Sequence, residues 1–140
     1  MRLDAATGWE RLRRADHGIL GTVHPERGVD LVPVVYAVDD TARVFIPVDT
    51  VKEKTSPKLQ RLENLRSDAR CMLLVEHYDP ADWDRLWWIR LTGYGREATT
   101  EDTELFRPLL AARYHHYASP LDIAGGLVIE DGQMTGWAAR

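Results

Sequence analysis

The sequence contains a single cysteine, Cys71, among its 140 residues. A disulfide within the chain and a CxxC zinc or redox motif are therefore excluded. Cys71 begins the apolar run Cys71–Val75, a setting that predicts a small buried side chain. The sequence also lacks an apolar run of membrane-spanning length and an apolar leader after Met1. We therefore expect a cytoplasmic protein without a membrane partner.

An excess of positive charge is missing too. Lysine and arginine together number 18 against 22 aspartates and glutamates, so the net charge is −4. Domains that bind nucleic acids are normally basic, and we expect no nucleic-acid partner. A hydrophobic content of 44% with 29% charged residues is typical of a globular protein. The length predicts one domain over residues 1–140.

The sequence lacks the motifs of several enzyme classes. Neither GxGxxG nor GxxxxGK[ST] occurs, which excludes Rossmann and P-loop sites. No GxSxG nucleophile motif is present. The 5 histidines form no HxxxH pair and no metal-binding cluster, and His115 and His116 are interpreted as surface residues of a helix. With no metal site and no nucleophile predicted, any catalysis depends on a cofactor.

Short β-type runs separated by turn residues dominate the chain. They predict strands over 19–24, 29–38, 43–48, 69–77 and 86–97. A closing hairpin is predicted from 126–130 and 134–138, across Asp131-Gly132. The predicted fold class is α+β, mainly β, with six to seven antiparallel strands in a closed sheet.

Helical spacing predicts about three helices flanking this sheet. The first covers 7–16, and the second begins at Ser56-Pro57 and buries a leucine face through Leu65. The third opens at Thr100 and ends near Tyr117. Pro108 is expected to kink or split it.

A basic segment leads into the second predicted helix. Lys52 and Lys54 lie in the preceding loop, and Lys58 and Arg61 fall in the first two helical turns. Exposed N–H groups at a helix N-terminus, flanked by cations, form a phosphate site. A solvated basic helix face has the same pattern, and the spacing leaves both interpretations open.

Tryptophans and arginines alternate around the fifth predicted strand. Because strand side chains alternate, Trp87 and Trp88 face opposite sides, and Trp88 shares its face with Arg90. An aromatic ring beside an arginine suits a planar, anionic or π-rich ligand. Tryptophans in a barrel core and a dimer interface would fit the same pattern, so this alternative also stays open.

A series of short motifs occurs in order over residues 15–138. The motifs are His17–Thr22, Val32–Tyr36, Val48-Asp49 with Lys52 and Lys54, Arg61–Leu65, Leu74–Asp79, Arg85–Arg90 with Gly93, and Gly136-Trp137. In this order they resemble the pyridoxamine 5′-phosphate oxidase-like, FMN-binding split-barrel superfamily. Within it they are most similar to the actinobacterial deazaflavin (coenzyme F-420)-dependent oxidoreductases. The resemblance implies an antiparallel split β-barrel.

The resemblance also implies an activity. The chain is expected to transfer a hydride between reduced coenzyme F-420, an 8-hydroxy-5-deazaflavin, and a small unsaturated or conjugated molecule. An FMN-dependent oxidase or reductase of the same fold is one alternative, and a non-enzymatic cofactor-binding protein is the other. In this superfamily the cofactor lies between two barrels, so the resemblance implies a homodimer with the cofactor at the interface.

Site residues follow from the same resemblance. The cofactor phosphate is expected at Lys52, Lys54, Lys58 and Arg61. The ring site is expected along two strands, at Pro33, Val34, Tyr36, Ile46, Pro47 and Val48. Candidate proton donors are Tyr36, His77 and Tyr78.

The resemblance includes one departure from the flavin-binding oxidases. Their matching strand has the pattern R-Q-V-R-x-x-G, whose glutamine helps to bind the flavin. Here Trp87 and Trp88 replace the Arg-Gln pair, while Arg90 and Gly93 remain. The change favours a deazaflavin over FMN and adds Trp88 and Arg90 to the expected cofactor contacts.

Overall fold

The computed structural model describes residues 1–49, 59–118 and 123–140. Within these ranges the chain forms seven strands and three α-helices. The strands are β1 (Gly18–His24), β2 (Gly28–Val34), β3 (Ala37–Val38), β4 (Val44–Asp49), β5 (Arg70–His77), β6 (Trp87–Glu97) and β7 (Ile123–Ala138). The helices are α1 (Ala5–Arg14), α2 (Gln60–Ser67) and α3 (Thr100–Arg113), with 3₁₀ turns at Trp83–Arg85 and His115–Ala118. The predicted α+β, mainly β class is confirmed.

The seven strands form one antiparallel sheet in the order β2-β1-β5-β6-β7-β4-β3. The two edge strands, β2 and β3, are separated in the chain only by Val35 and Tyr36. The two edges therefore meet at this corner, and the sheet curls round on itself. Since β2 is not hydrogen-bonded to β3 or β4, the barrel stays split along this line. The arrangement is the expected split β-barrel.

The barrel core follows from the alternation of side chains along the strands. On β5, for example, Cys71, Leu73 and Val75 are buried while Met72 and Leu74 are exposed. Burial raises the pKa of the Cys71 thiol to about 12, so it stays a neutral, small core side chain, as predicted.

A second apolar cluster lies on the outside of the barrel, beneath α3. Phe106 of α3 stacks on Phe45 of β4 with ring centroids 5.1 Å apart, and both rings are fully buried. Offset stacking of this kind adds to the free energy gained from burial. The Phe45–Phe106 pair therefore fixes α3 against β4.

Charged residues fix the start of α3 as well. Thr99 and Asp102 form a capping box, in which each side chain accepts a hydrogen bond from the other residue's backbone N–H. Arg96 of β6 bridges Asp102 at 2.7 Å and Glu130 of β7 at 2.8 Å. Arg43 contacts the same aspartate at 3.3 Å. The hydrogen bond from Arg96 holds the pKa of the Asp102 carboxyl well below its usual range.

Two strand predictions were wrong. The run 29–38 is not one strand, because the chain turns at Val35 and Tyr36, where the Tyr36 N–H donates to the Tyr114 hydroxyl. The expected hairpin at 126–138 is instead the continuous 16-residue strand β7. Asp131 and Gly132 form a bulge opposite Gly93 of β6. Asp131 has a positive φ of 53°, and an Asp-Gly pair supplies such a conformation to bulges as well as to turns.

The helices also differ from their predicted bounds. α3 is not split, because it continues through Pro108 to Arg113. α2 begins at Gln60 with Leu59 as its N-cap, and the predicted start at Ser56-Pro57 lies outside the described residues. Within the described part of the chain, no helix is long and apolar enough to cross a membrane.

Candidate functional site

A cavity of about 950 Å³ lies at the split of the barrel. One wall is the end of β2 with residues 32–35, and the other is residues 46–48 of β4. α2 borders it through Leu59, Arg61 and Leu62, and Gly125 and Gly126 of β7 complete the lining. The cavity therefore occupies the gap that the unpaired edges of β2 and β4 leave open. Its volume suits a cofactor ring system or a small ligand.

Both strands that flank the split carry a proline beside the cavity. Pro33 lies on β2 and Pro47 on β4. Proline has no backbone N–H and cannot donate a hydrogen bond to a neighbouring strand. At these positions neither strand can donate across the gap, which keeps the backbone edges available to a ligand.

Two adjacent glycines on β7 have different surroundings. A Cβ atom added at Gly126 would lie 2.4 Å from the Ile46 carbonyl oxygen and 2.7 Å from Phe45. A Cβ added at Gly125 would meet no atom within 4 Å. Gly126 therefore allows β4 and β7 to pair closely, whereas Gly125 leaves open space at a position that lines the cavity.

Buried polar contacts hold α2 beside the cavity. Asn64, which is fully buried, donates to Thr22 Oγ1 of β1 and to Asp30 Oδ2 of β2, both at 2.9 Å. The hydrogen bonds from Asn64 and Arg27 keep the pKa of the Asp30 carboxyl below its usual value. The hydrogen bonds of Asn64 hold α2 in position. Arg61, one turn earlier on this helix, is a half-buried cation in the cavity lining.

The rim of the cavity carries titratable groups that sequence reasoning did not select. They are His17, Glu63, Arg66, Glu97 and His116. His17 Nδ1 lies 2.5 Å from the Asp16 carboxylate, and Arg66 pairs with Glu97. His17 belongs to the first family-like motif, so that motif was a usable signal for it. His116 was interpreted as a surface residue, and it is exposed, but it also lines the cavity.

Tyr114 also borders the cavity, and its hydroxyl is fully engaged. It accepts from the Tyr36 N–H at 3.3 Å and from Arg113 Nη2 at 3.2 Å. It lies 2.9 Å from the Asp16 carbonyl and 3.0 Å from the Tyr36 carbonyl, to one of which it donates. Through these contacts Tyr114 connects Asp16, which precedes β1, with Tyr36 at the turn between β2 and β3. Its hydroxyl therefore has a structural role and is not a free proton donor.

The structure brings half of the predicted cofactor residues together. Those in the cavity lining are Pro33, Val34, Ile46, Pro47, Val48 and Arg61. Lys52, Lys54 and Lys58 lie outside the described residues, so the predicted phosphate site is represented only by Arg61. These contacts to a cofactor stay predictions.

Tyr36 lies in the core rather than in the cavity lining. It is fully buried, and its hydroxyl donates to the Leu12 carbonyl of α1 at 2.7 Å. Burial raises its pKa far above the usual value, so the phenol stays protonated. The other two candidate donors, His77 and Tyr78, lie at the end of β5 and do not line the cavity either.

Trp88 and Arg90 lie together on the outer face of β6. The Arg90 guanidinium carbon is 5.2 Å from the centre of the Trp88 ring, so the predicted pairing of the two side chains on one face is present. Neither residue lines the cavity of its own chain. Contact of either residue with a cofactor stays a prediction.

The described residues contain no group of three or more His, Cys, Asp or Glu side chains arranged to hold a metal ion.

Solved structures share this fold at low sequence identity. A conserved hypothetical protein from Mycobacterium tuberculosis matches with a TM-score of 0.77 and 20% identity, over 99% of this chain and 86% of its own. An FAD-binding protein from Mycobacterium smegmatis matches with a TM-score of 0.64 and 15% identity, over 98% and 96%. An FAD-binding protein from Mesorhizobium loti matches with a TM-score of 0.65 and 17% identity, over 97% and 95%. No family model and no curated protein sequence matches the chain.

Proposed function

We propose that the chain is an oxidoreductase that binds a flavin-type cofactor in the cavity at the split. Its particular reaction, on this proposal, is hydride transfer between reduced coenzyme F-420 and a small unsaturated or conjugated molecule. The observation that carries the proposal is the cavity itself, because it lies between the two strands to which the motif resemblance assigned the ring site. Solved structures of the same fold include proteins named for FAD binding, which supports a flavin-type ligand.

The residues present fit such a group. Val48 offers a half-buried apolar side chain to a planar ring, Val34 and Ile46 border the cavity from the barrel core, and Gly125 leaves room where a side chain would project. Arg61 supplies a cation for an anionic tail. When bound, the cofactor supplies the two-electron chemistry that the side chains lack. The chain's own part is to hold ring and substrate together and to exclude water.

An ordinary flavin is the second candidate. The two neighbours named as FAD-binding favour it, whereas the Trp87-Trp88 pair in place of Arg-Gln favours the deazaflavin. Calorimetric titration of the purified protein with F-420, FMN and FAD separates the two. Tightest binding of F-420 supports the proposal, and tightest binding of FMN or FAD supports the alternative. If none of the three cofactors binds, the proposal of a flavin-type site is wrong.

Gly125 allows the site to be tested without changing the core. Gly125→Leu places a side chain where no atom lies within 4 Å of the new Cβ, so we expect unchanged folding and loss of cofactor binding by more than about tenfold. Ala6→Leu, at an exposed position of α1 that does not line the cavity, is the control. Equal binding by both variants would show that the ligand binds elsewhere.

Turnover needs a separate test, because a cofactor-binding protein without activity has the same cavity. Oxidation of bound, reduced F-420 in the presence of conjugated acceptors would support an enzyme. Binding without oxidation by any acceptor would support a carrier. His17 and His116 are the histidines in the lining, so His17→Gln and His116→Gln test whether either delivers a proton.

We also propose that the chain is a homodimer. The outer face of β2, β1 and β5 exposes a group of apolar side chains, led by Val29 at 65% and Leu31 at 69% exposed. Gly21 of β1 pairs with both Leu31 and Met72, and the Leu31 side chain lies over it, since a Cβ added at Gly21 would be 3.3 Å from Leu31 Cδ2. A flat apolar face of this kind suits a second copy, because the same patch is self-complementary about a twofold axis.

Light scattering tests the dimer. The wild type is expected at about twice the 16.0 kDa chain mass. Leu31→Asp places a charge in the centre of the face and is expected to give monomers. Leu105→Asp, at an exposed apolar position on α3, is the control and should stay dimeric. A monomeric wild type at micromolar concentration contradicts the proposal, and with it any role of Tyr78, His77, Trp88 or Arg90 in a shared site.

A further inference from the structure

Asp16 and His17 form a pair at the rim of the cavity, between the end of α1 and the start of β1. His17 lines the cavity, and its Nδ1 atom lies 2.5 Å from Oδ1 of Asp16. A conjugated molecule that gains a hydride also needs a proton, which a positioned histidine can supply. The pair is therefore a candidate source of that proton.

Backbone contacts hold this pair at the cavity. The Tyr114 hydroxyl lies 2.9 Å from the Asp16 carbonyl oxygen, and Arg113 of α3 donates to the Ala15 carbonyl. The residue that follows His17 begins β1 and pairs with the end of β2. Since the chain is anchored on both sides of the pair, the His17 ring stays beside the cavity.

The contact with Asp16 determines which nitrogen of the His17 ring carries a hydrogen. A carboxylate only accepts hydrogen bonds, so the hydrogen between the two groups belongs to Nδ1. Nε2 has no hydrogen-bond partner among the residues that the structure describes. Nε2 is therefore the nitrogen through which the ring can exchange a proton with a molecule in the cavity.

The pair is also in contact with water, because the side chains of His17 and Asp16 are 68% and 87% exposed. An ion pair this exposed adds little to the free energy of unfolding. Its effect is on the orientation of the ring and the position of its hydrogen. Contact with water also allows Nε2 to regain a proton after each transfer.

His116, the other histidine in the lining, has different surroundings. Its ring meets the Tyr117 ring edge-on, with centroids 5.0 Å apart and an interplanar angle of 76°. Within the described part of the chain it has no carboxylate partner. No contact therefore selects one of its nitrogens, and His17 is the better prepared of the two.

We propose that His17 is the proton donor to a conjugated carbonyl substrate and that Asp16 positions its ring; this rests on the function proposed above. The β carbon of the substrate gains a hydride from the reduced cofactor, and the electrons of the double bond move toward the carbonyl. The N–H bond at Nε2 of His17 breaks, and its proton goes to the α carbon to give the saturated carbonyl compound. The imidazole then takes a proton from water, into which the cofactor's second hydrogen is released as a proton.

Long-range nitrogen–proton NMR spectra of the full chain without cofactor test the pair itself. At a pH where the His17 ring is neutral, we expect its hydrogen on Nδ1. In Asp16→Ala we expect it mainly on Nε2, the form that a free histidine side chain prefers. His115, which is exposed and lies outside the cavity lining, should be unchanged by the substitution. A wild-type His17 ring with its hydrogen mainly on Nε2 overturns the proposal.

Turnover tests the role of the pair in the reaction. His17→Gln should bind reduced F-420 as the wild type does, whereas its oxidation by a conjugated ketone such as cyclohexenone should be about a hundredfold slower. Asp16→Ala should slow it by about tenfold, because the ring remains without its fixed hydrogen. His115→Gln is the matched control and should react at the wild-type rate.

The outcomes separate the proton donor from the proposed function. If the wild type binds no cofactor or reduces no acceptor, the proposed oxidoreductase and its proton donor are both wrong. If the wild type reduces the ketone and His17→Gln does so equally fast, only the proton donor is wrong. A loss of rate in His116→Gln instead of His17→Gln also overturns the proposal, as does a loss of cofactor affinity in His17→Gln that accounts for its lower rate.

Discussion

The two sides of the barrel are built differently. On the closed side, β6 and β7 pair from Trp87–Ala138 to Glu97–Leu127, and Arg96 connects the two strands to α3 through Asp102 and Glu130. On the split side, β2 and β4 approach each other without pairing, and each carries a proline at the gap. The closed side therefore satisfies its backbone groups within the sheet, and the split side leaves room for a ligand.

The difference separates stability from binding. Substitutions on the closed side should lower the free energy of unfolding, and substitutions at the split should change ligand affinity at nearly constant stability. Gly126 and Gly125 are adjacent in sequence. A substitution at Gly126 should change the stability, whereas one at Gly125 should change the ligand affinity. The following predictions test this division, from the largest expected effect to the smallest.

The largest loss of stability is expected at the outer aromatic pair. Phe106→Ala removes a fully buried ring that stacks on Phe45 and should lower the free energy of unfolding by about 3–5 kcal/mol. Urea denaturation measures it. Leu105→Ala, the exposed neighbour on α3, should change it by less than about 0.5 kcal/mol. Similar losses for both would mean that α3 is not packed as described.

The two glycines of β7 should respond in opposite ways. Gly126→Ala forces a Cβ to within 2.4 Å of the Ile46 carbonyl oxygen and should lower the stability by about 2–3 kcal/mol. Gly125→Ala meets no atom within 4 Å and should be neutral or slightly stabilising. Thermal melts of the two variants, made side by side, measure the contrast. Equal melting temperatures would show that Gly126 and Gly125 do not differ in how closely they are packed.

The ion network should depend on pH. Asp102→Asn weakens the contacts to Arg96 and Arg43 and should lower the stability at pH 7 by about 1–2 kcal/mol, because Arg96 is partly exposed. The pKa of Asp102 is lowered in the fold, so its contribution is complete above the unfolded value of about 4. It is lost as the pH falls toward the folded value.

Denaturation of the wild type and Asp102→Asn between pH 7 and pH 2 measures this dependence. The difference between the two should be constant down to about pH 5 and should shrink below that. A difference that grows on acidification would mean that the carboxylate is not stabilised by its partners.

The smallest effect is expected on ligand affinity at Arg61. Arg61→Gln removes a cation from the cavity lining and should weaken binding of the proposed anionic cofactor by about tenfold in a calorimetric titration. Arg70→Gln, an exposed arginine on β5 paired with Asp68, is the control and should bind as the wild type does. Unchanged affinity of Arg61→Gln would move the phosphate contact away from this residue.

Much of the barrel could be predicted from the sequence because its strands are short β-type runs separated by turn residues. The run 69–77 predicted a strand and a buried Cys71, and the structure has both. Because Cys71–Val75 is apolar throughout, the sequence did not determine which of its side chains face inward, and the structure buries Cys71, Leu73 and Val75. The split-barrel class was predicted from the order of motifs. The predicted hairpin turn at Asp131-Gly132 was wrong, and the structure has a bulge there. A bulge and a hairpin turn use the same left-handed conformation, so this residue pair does not distinguish them.

The site was only partly predictable for a different reason. Strand positions such as Pro33 and Pro47 were found through their motifs, whereas His116 and Tyr114 reach the cavity from the other end of the chain. Tyr36 was selected by its motif, and the corner at Val35 and Tyr36 turns its hydroxyl to Leu12. Sequence spacing describes one strand or helix at a time and does not show where a corner directs a side chain.

The position of β7 sets the order in which the barrel can assemble. This strand lies between β6 and β4, and Val44 of β4 pairs with Ile129, far along the chain. Until β7 has left the ribosome, β4 has only the two-residue strand β3 as a partner, and one wall of the cavity has no support. Contacts between residues so distant in sequence form slowly, because a long loop must close first. The wall of the cavity that β4 forms is therefore completed only after β7 has paired with β4.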